Sequence, residues 1–298
     1  MIEFVYSEEF LKYKEDSHPE SPERIEKIIN YLCKKGNFKF IKPEPCQEED
    51  LYLVHSYELV KKVKENNFFD PDCPNIPDIF YYACLSAGAS IKASEISLEG
   101  KIGFSLGRPP GHHSGKNNLG GFCYFNNIAI AVKKLLLKNY RVAVLDIDGH
   151  HGNGTEEILR GEENVIYVSI HQFPAYPGTG KYSFENCYNF PIPPFSSSKK
   201  YIEKLDIALD IIKNFSPDIV AISCGFDTFK EDPLLQLSLT ETDYYIIGKK
   251  IFNLEKKMFL VLEGGYNISK IGNLLYCFIS GFRDSTKKEK DNDRKKID

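Results

Sequence analysis

The sequence predicts an α/β fold: a single domain with a central parallel β-sheet flanked by helices. Three observations support this prediction: short apolar runs of strand length, helical segments that alternate with them, and no Pro/Gly/Ser-rich linker that divides the chain. Near-continuous apolarity over a few residues is typical of a parallel strand buried on both faces. The strand candidates are 102–106, 142–147, 165–171, 218–224 and 258–262.

Helical candidates lie between and around these runs, and local signals indicate where some of them begin. Ser21 precedes Pro22, and Thr240 precedes Asp243 by three residues, as in a variant of the capping box. Regular alternation of strands and helices favours a parallel sheet. The candidates are 22–35, 79–94, 126–138, 155–159, 198–214, 240–256 and 271–282.

The length of the chain, 298 residues with 42% hydrophobic content, is sufficient for one large core. We predict one α/β domain over residues 1–284. The segment 287–296 contains no apolar residue to bury, so residues 285–298 are predicted to form a charged, disordered tail.

Composition limits the classes of partner and the cellular compartment that we expect for this chain. A formal net charge of -4 gives no whole-chain reason to bind nucleic acid. No stretch approaches the ~18 consecutive apolar residues of a membrane span, and the acidic start does not resemble a signal peptide. The eight cysteines fall singly, without a C-x-x-C pair, which indicates buried thiols in a reducing compartment. We expect a cytoplasmic protein without nucleic-acid or membrane partners; the oligomeric state stays open.

The placement of histidines is the most informative feature. Four of the seven form two adjacent pairs, 112–113 and 150–151, and each pair follows a strand candidate. Ligands bind at the carboxyl ends of strands in open α/β sheets, so both pairs are expected near one site. The remaining three, His18, His55 and His171, are predicted to be hydrogen-bonded structural residues.

Acidic residues lie close in sequence to the second histidine pair, 150–151. Asp146, Asp148 and His150 alternate at period two, so extended backbone projects them to one side, and Asp227 follows the strand candidate 218–224. Any single Asp-x-His could equally be a helix cap beside an exposed histidine. A third acid at another strand end instead favours an ion site with Asp148, His150 and Asp227 as ligands. Three ligands leave coordination positions open, as in catalytic centres, and the donor set suits zinc or iron(II).

Tyr266 follows two glycines in the segment 263–266, directly after the last strand candidate. A glycine turn bends freely and can bring the phenol to the mouth of the sheet. Alone, such a tyrosine is more often a packing residue. Beside a metal, its hydroxyl is a candidate donor to a developing oxyanion.

These segments together resemble the histone deacetylase and acetylpolyamine amidohydrolase family, within the arginase-deacetylase superfamily, and are most similar to its class II-like and prokaryotic members. The resemblance extends over almost the full chain, in the order of the family, and implies the arginase/deacetylase-like fold. The matching segments are 17–24, 108–113, 121–127, 146–155, 177–180, 225–227 and 263–266.

The resemblance also implies roles for individual residues. Asp148, His150 and Asp227 would hold zinc, with iron(II) as an alternative. His113 would be the general base that takes a proton from the attacking water and returns it to the leaving amine. His112 would supply positive charge.

Three further residues complete the catalytic set that the resemblance implies. Tyr266 would hydrogen-bond the acyl oxygen, and Asp146 would orient His112. Asn153 would face His113 at a position where other members carry Asp. A neutral partner should leave His113 less basic than a carboxylate would.

The resemblance assigns a second group of residues to substrate binding: Phe122, Tyr176, Leu234, Asp72, Gly121 and Gly265. Phe122 and Tyr176 match the aromatic walls of a channel that grips an acyl-lysine stem. Leu234 stands where eukaryotic polyamine-selective members carry Glu, which favours acyl-lysine. Glu231 lies nearby and prokaryotic polyamine enzymes use other acids, so acetylpolyamine amidohydrolase stays an alternative. Asp72 resembles a rim aspartate that holds the substrate backbone, and an ordinary loop acid is an equal alternative.

The predicted function is therefore a zinc-dependent amidohydrolase that removes acetyl or other acyl groups from an acetylated lysine peptide, protein or small amine. A two-manganese, arginase-like site would need further acids where Gly149 and His151 stand. A catalytically silent acyl-binding protein is the alternative of another class, and the functional residue at every matched position argues against it. The resemblance further implies a structural potassium site formed by Asp146, Asp148, His150, Ser169 and Ile170.

Overall fold

A computed structural model describes the backbone of residues 2–294 and the side chains of residues 2–282. Its strands form one parallel sheet in the order β2-β1-β3-β8-β7-β4-β5-β6. The strands are β1 (Ile2–Val5), β2 (Lys39–Ile41), β3 (Ile102–Ser105), β4 (Val142–Asp146), β5 (Val165–Gln172), β6 (Cys187–Ile192), β7 (Ile219–Cys224) and β8 (Lys257–Leu262).

The five predicted strands correspond to β3, β4, β5, β7 and β8, whereas β1, β2 and β6 escaped prediction. β2 has only three residues, none of them fully buried. β6, at the opposite edge, carries Asn189 and Pro191. β1 contains Glu3, which is buried but paired with Lys39 and Lys101. These strands lack a continuous apolar run because they lie at the edges or carry polar residues.

The sheet separates two hydrophobic cores, because successive side chains of each strand point to opposite faces. Ala143 and Leu145 of β4 belong to one core, and Val142 and Val144 belong to the other. The helices are α1 (Pro22–Lys35), α2 (Glu48–Leu51), α3 (Tyr57–Lys64), α4 (Ile79–Leu98), α5 (Asn127–Leu136), α6 (Asn153–Leu159), α7 (Ser198–Phe215), α8 (Glu241–Phe252) and α9 (Ile271–Arg294). Helices α1, α7, α8 and α9 cover the first face, and α3, α4, α5 and α6 cover the second.

Helix prediction missed α2 and α3, which are short, matched both ends of α1, and placed the other helices with one or both ends shifted. The largest shift is at α9, which continues to Arg294, ten residues into the segment predicted to be disordered. Lys, Glu and Arg are good helix formers, so a helix can extend through them without a core to pack on. Residues 295–298 lie outside the described part of the chain, and the domain boundary at 284 stays a prediction.

Within the described part of the chain, none of the helices has the length and apolar character needed to cross a membrane. All eight cysteines are free thiols. The expectation that they are buried holds for five of them and is wrong for Cys33, which is exposed, and for Cys46 and Cys277, which are half-buried. Cys33 lies on a helix, as does Cys277, and Cys46 lies in the short segment between β2 and the next helix, so all three are beside solvent.

Candidate active site

Four neighbouring strands deliver the predicted site residues to one edge of the sheet. In the order β3-β8-β7-β4, the loops after them carry the pair 112–113, Tyr266, Asp227 and the segment 148–150. The chain order differs from the spatial order, so residues more than a hundred positions apart become neighbours. The prediction that the two histidine pairs lie near one site is confirmed by this arrangement, since His113 and His150 have ring centroids 6.0 Å apart.

Asp148, His150 and Asp227 form a buried cluster whose ligand atoms all lie within 4.8 Å of one another. The Nδ1 atom of His150 is 2.7 Å from Oδ2 of Asp227 and 3.4 Å from Oδ1 of Asp148. The other oxygen of each carboxylate accepts a backbone N–H, from Gly264 to Asp148 at 2.7 Å and from Gly149 to Asp227 at 2.6 Å. Each carboxylate is therefore locked with one oxygen toward the imidazole, which is an arrangement suited to a metal ion.

Two glycines, which have no Cβ atom, leave room for these carboxylates beside the backbone. A Cβ atom at Gly225 would lie 2.0 Å from Oδ2 of Asp148. A Cβ atom at Gly264 would lie 2.7 Å from Oδ2 of both Asp148 and Asp227. Close approach of backbone to the cluster therefore requires glycine in both loops.

The charge of the cluster also fits a cation. Burial, followed by the carboxylate of Asp148, raises the pKa of Asp227 to about 7. Burial lowers the pKa of His150, but the carboxylates of Asp227 and Asp148 together outweigh burial and raise that pKa to about 10. Neither carboxylate has a Lys or Arg partner among the described residues. Two buried carboxylates without such partners are costly, and a divalent ion would offset that cost.

The histidine pair differs in its partners. Nδ1 of His112 lies 3.0 Å from Oδ2 of Asp146, whereas Nδ1 of His113 lies 2.8 Å from Oδ1 of Asn153. Burial lowers the pKa of His112, but Asp146 and Asp148 raise it to about 10. The pKa of His113 is well below its usual value because of burial and the neighbouring His112 and His150. The pair therefore holds one charged ring and one neutral ring.

Tyr266 lines the same cavity as His113 and His150. Burial raises the pKa of its phenol well above the usual value, so the hydroxyl keeps its proton. It lines a cavity of about 230 Å³, and its ring packs edge-on against Phe122 at 5.6 Å. Tyr176 packs edge-on against His113 at 5.1 Å. The cavity is lined by Asp72, His113, Gly121, Phe122, His150, Tyr176, Leu234 and Tyr266.

The two predicted substrate-binding glycines have different positions. Gly121 lines the cavity with φ +54°, and a Cβ atom there would lie 2.4 Å from the ring of His113. Gly265 is not among the lining residues. It has φ +117°, and its carbonyl accepts a hydrogen bond of 2.8 Å from Arg24. Gly265 therefore shapes the loop that carries Tyr266.

Two supporting residues were missed by sequence reasoning. Arg24 donates to the carbonyls of Glu263 and Gly265 and lies 5.0 Å from the centre of the Tyr266 ring. The buried carboxylate of Glu263 accepts the N–H of Gly111 and of His112, at 2.8 and 3.2 Å. Both residues lie inside the matching segments 17–24 and 263–266, but the resemblance did not indicate which residues they contact.

Two of the residues expected to hold potassium, Asp146 and Ser169, lie side by side as partners in the β4–β5 register. The hydroxyl of Ser169 is 2.8 Å from Nδ1 of His171. His18, His55 and His171 all form hydrogen bonds, which confirms the expectation for these three.

Comparison with known proteins identifies the family. The model of the histone deacetylase domain matches residues 18–281. The chain belongs to the histone deacetylase family. A probable deacetylase of Archaeoglobus fulgidus is 36% identical over 293 residues, covering 89% of this chain and 81% of the relative. Histone deacetylase clr3 of Schizosaccharomyces pombe is 32% identical over 86% of this chain and 43% of its own length.

A solved structure supports the same conclusion for the fold of this family member. The acetylpolyamine aminohydrolase of Burkholderia pseudomallei superposes with a TM-score of 0.89 at 26% identity, covering 95% of this chain and 98% of that chain. The predicted family and fold class are therefore confirmed. As a histone deacetylase family member, the chain is assigned to enzymes that hydrolyse amide bonds.

Proposed function

We propose that the chain is a zinc-dependent deacylase that hydrolyses the amide of an acyl-lysine side chain or a similar acylated amine. The observation that carries this proposal is the buried cluster of Asp148, His150 and Asp227, whose His150 lines the same cavity as His113 and Tyr266. A zinc ion held by the three ligands would polarise an amide carbonyl and lower the pKa of a bound water to ~7.

The protein's own residues move the protons. The Nδ1–H of His113 donates to Asn153, which leaves Nε2 without a proton and able to accept one from the attacking water. The same ring then returns that proton to the departing amine. The charged ring of His112 and the phenol of Tyr266 stabilise the negative charge that develops on the acyl oxygen.

The apolar part of the cavity lining suits an acyl-lysine. It includes Phe122, Tyr176 and Leu234. Apolar walls suit the methylene chain of an acyl-lysine. Leu234 offers no partner for a second ammonium group, which supports acyl-lysine as the substrate class.

Acetylpolyamine hydrolysis is the second candidate, and Asp72 is the observation that favours it. Asp72 lines the cavity and is half-buried, and no Lys or Arg pairs with it among the described residues. Burial and the neighbouring Asp70 raise the pKa of its carboxyl group. Such a carboxylate can accept a substrate backbone N–H or bind the second ammonium of a polyamine.

The test is a substrate panel with the zinc-loaded and iron(II)-loaded protein: acetyl-lysine peptides, acetylated diamines and polyamines, and longer acyl-lysines. We expect the highest kcat/KM with acyl-lysine, and Tyr266→Phe should retain stoichiometric zinc while losing most of the turnover. Higher kcat/KM with acetylpolyamines, abolished in Asp72→Asn, would instead support the second candidate.

A binding protein without catalysis is the remaining alternative, and the same panel distinguishes it. Bound zinc together with no turnover of any acylated amine would favour this alternative. We further propose a structural potassium ion beside Asp146 and Ser169, which activity measured in potassium and in choline salts would test.

A further inference from the structure

Asp232 is a buried carboxylate that joins two loops of the site. It lies in the loop after β7, only 7% exposed, and reaches across to the loop after β8. Its Oδ2 accepts the backbone N–H of Tyr266 at 2.8 Å, and its Oδ1 accepts the N–H of Leu234 at 2.9 Å. One side chain thus holds the backbone of two residues that line the cavity.

The electrostatics of Asp232 are unfavourable for a residue with only a packing role. No Lys or Arg pairs with it in the described part of the chain, and burial raises its pKa to about 6. A buried carboxylate without a cation is costly. Its advantage is that both oxygens accept, so it can hold two N–H groups at once, whereas Asn has one accepting oxygen.

The loop that carries Tyr266 needs such a contact. Tyr266 follows Gly264 and Gly265, a backbone with wide conformational freedom. Arg24 binds this loop through the carbonyls of Glu263 and Gly265. Asp148 accepts the N–H of Gly264 in this loop, whereas the N–H that Asp232 accepts belongs to Tyr266 itself, the residue with the reacting phenol.

We propose that Asp232 is a positioning residue for Tyr266, which fixes the phenol at the distance from the acyl oxygen that hydrolysis requires. This inference rests on the proposed function, because it gives Tyr266 the role of hydrogen-bond donor. A misplacement of about 1 Å can reduce a rate ~10²-fold. Loss of the Asp232 contact should therefore lower kcat and leave zinc bound.

The experiment is a double-mutant cycle on the zinc-loaded protein with an acetyl-lysine peptide as substrate. We expect Asp232→Asn to lower kcat by about 10- to 100-fold, with KM and zinc stoichiometry changed by less than about twofold. In a Tyr266→Phe background, the same substitution should change kcat by less than about twofold, because the phenol that it positions is gone.

Asp218→Asn is the matched control. Asp218 also accepts a backbone N–H of another segment, that of Arg141 at 2.8 Å, but it lies at the amino ends of β4 and β7. Its substitution should leave kcat unchanged in both backgrounds. If Asp232→Asn does not fold, Asp232→Glu replaces it in the cycle, since Glu keeps two accepting oxygens but displaces them by one methylene.

The outcomes separate the two claims. If Tyr266→Phe lowers kcat but Asp232→Asn does not, or if Asp232→Asn lowers kcat equally in both backgrounds, the positioning role is wrong and the proposed function stands. If Tyr266→Phe turns over at the native rate, the proposed function itself fails.

Discussion

The two ends of the same four central strands differ sharply in the charged groups that they carry. At the carboxyl ends of β3, β8, β7 and β4, Asp148, Asp227 and His112 are almost completely buried. At the amino ends, Asp218 is exposed and accepts the N–H of Arg141, and Lys101 forms an ion pair with the exposed Glu99. Buried charge costs stability, whereas exposed charge costs little. The charged groups of the site at the carboxyl ends therefore lower the stability of the fold, whereas the exposed Asp218 at the amino ends does not.

Two glycines at the carboxyl ends serve the polar cluster. Gly225 and Gly264 leave no space for a Cβ atom beside the carboxylates of the cluster. Elsewhere a glycine serves the packing of helix on sheet, since a Cβ atom at Gly103 in β3 would lie 2.2 Å from the carbonyl oxygen of Ala93 in α4.

The largest effect is expected at the metal cluster. Asp148→Ala should lose bound zinc and reduce kcat/KM by at least ~10³-fold, because the ligand set loses a carboxylate and metal catalysis supplies several kcal/mol. Zinc stoichiometry by elemental analysis and turnover of an acetyl-lysine peptide provide the measurement. Full zinc occupancy in this variant would show that the ion binds elsewhere.

The next effect concerns the general base. His113→Ala should keep zinc and lower kcat by about 10²- to 10⁴-fold, because the cavity loses the ring that transfers protons. His55→Asn is a suitable control, since His55 is equally buried but outside the cavity and should leave kcat within about twofold of the native rate. Equal losses in both variants would contradict a special role for His113.

His55 gives a prediction about stability and pH. Its Nδ1–H donates to the carbonyl of Gly115, and its Nε2 accepts the N–H of Asn126, so the ring must be neutral. Burial lowers its pKa to about 4. This pKa lies below that of a histidine in the unfolded chain, about 6.5. The contribution of His55 to the free energy of unfolding is therefore complete above pH ~6.5 and is lost as the pH falls toward 4.

Between pH 7 and pH 5, this group should reduce the free energy of unfolding by about 2 kcal/mol. Denaturant unfolding of the native protein and of His55→Asn at several pH values gives the contribution as a difference. A constant difference between the two proteins over this range would contradict the prediction.

The smallest effect is expected at the amino end. Asp218→Asn replaces an exposed carboxylate by an amide that keeps one accepting oxygen, and it should lower Tm by less than ~3 °C, with unchanged kcat and zinc content. Thermal unfolding and steady-state kinetics measure both. A loss of activity here would show that the two ends of the strands are coupled, contrary to the comparison.

The sequence alone was sufficient for the central strands and the reacting side chains. Runs such as 142–147 are apolar because both faces of the strand are buried, and Asp148, His150 and Tyr266 stand in turns directly after such runs. Local pattern and spacing therefore determined the fold class and the candidate ligands. The edge strands β2 and β6 lack that pattern and could not be predicted from it.

Only the tertiary structure decided how these residues are supported. Asp232 and Arg24 contact the Tyr266 loop across 34 and more than 200 residues of sequence, and no local period encodes such contacts. Strand order brings β8 and β7 between β3 and β4, so the loops meet only in the folded sheet. Side-chain type and local spacing indicate which chemistry the site can perform, but the position of a phenol relative to a metal cluster depends on long-range packing.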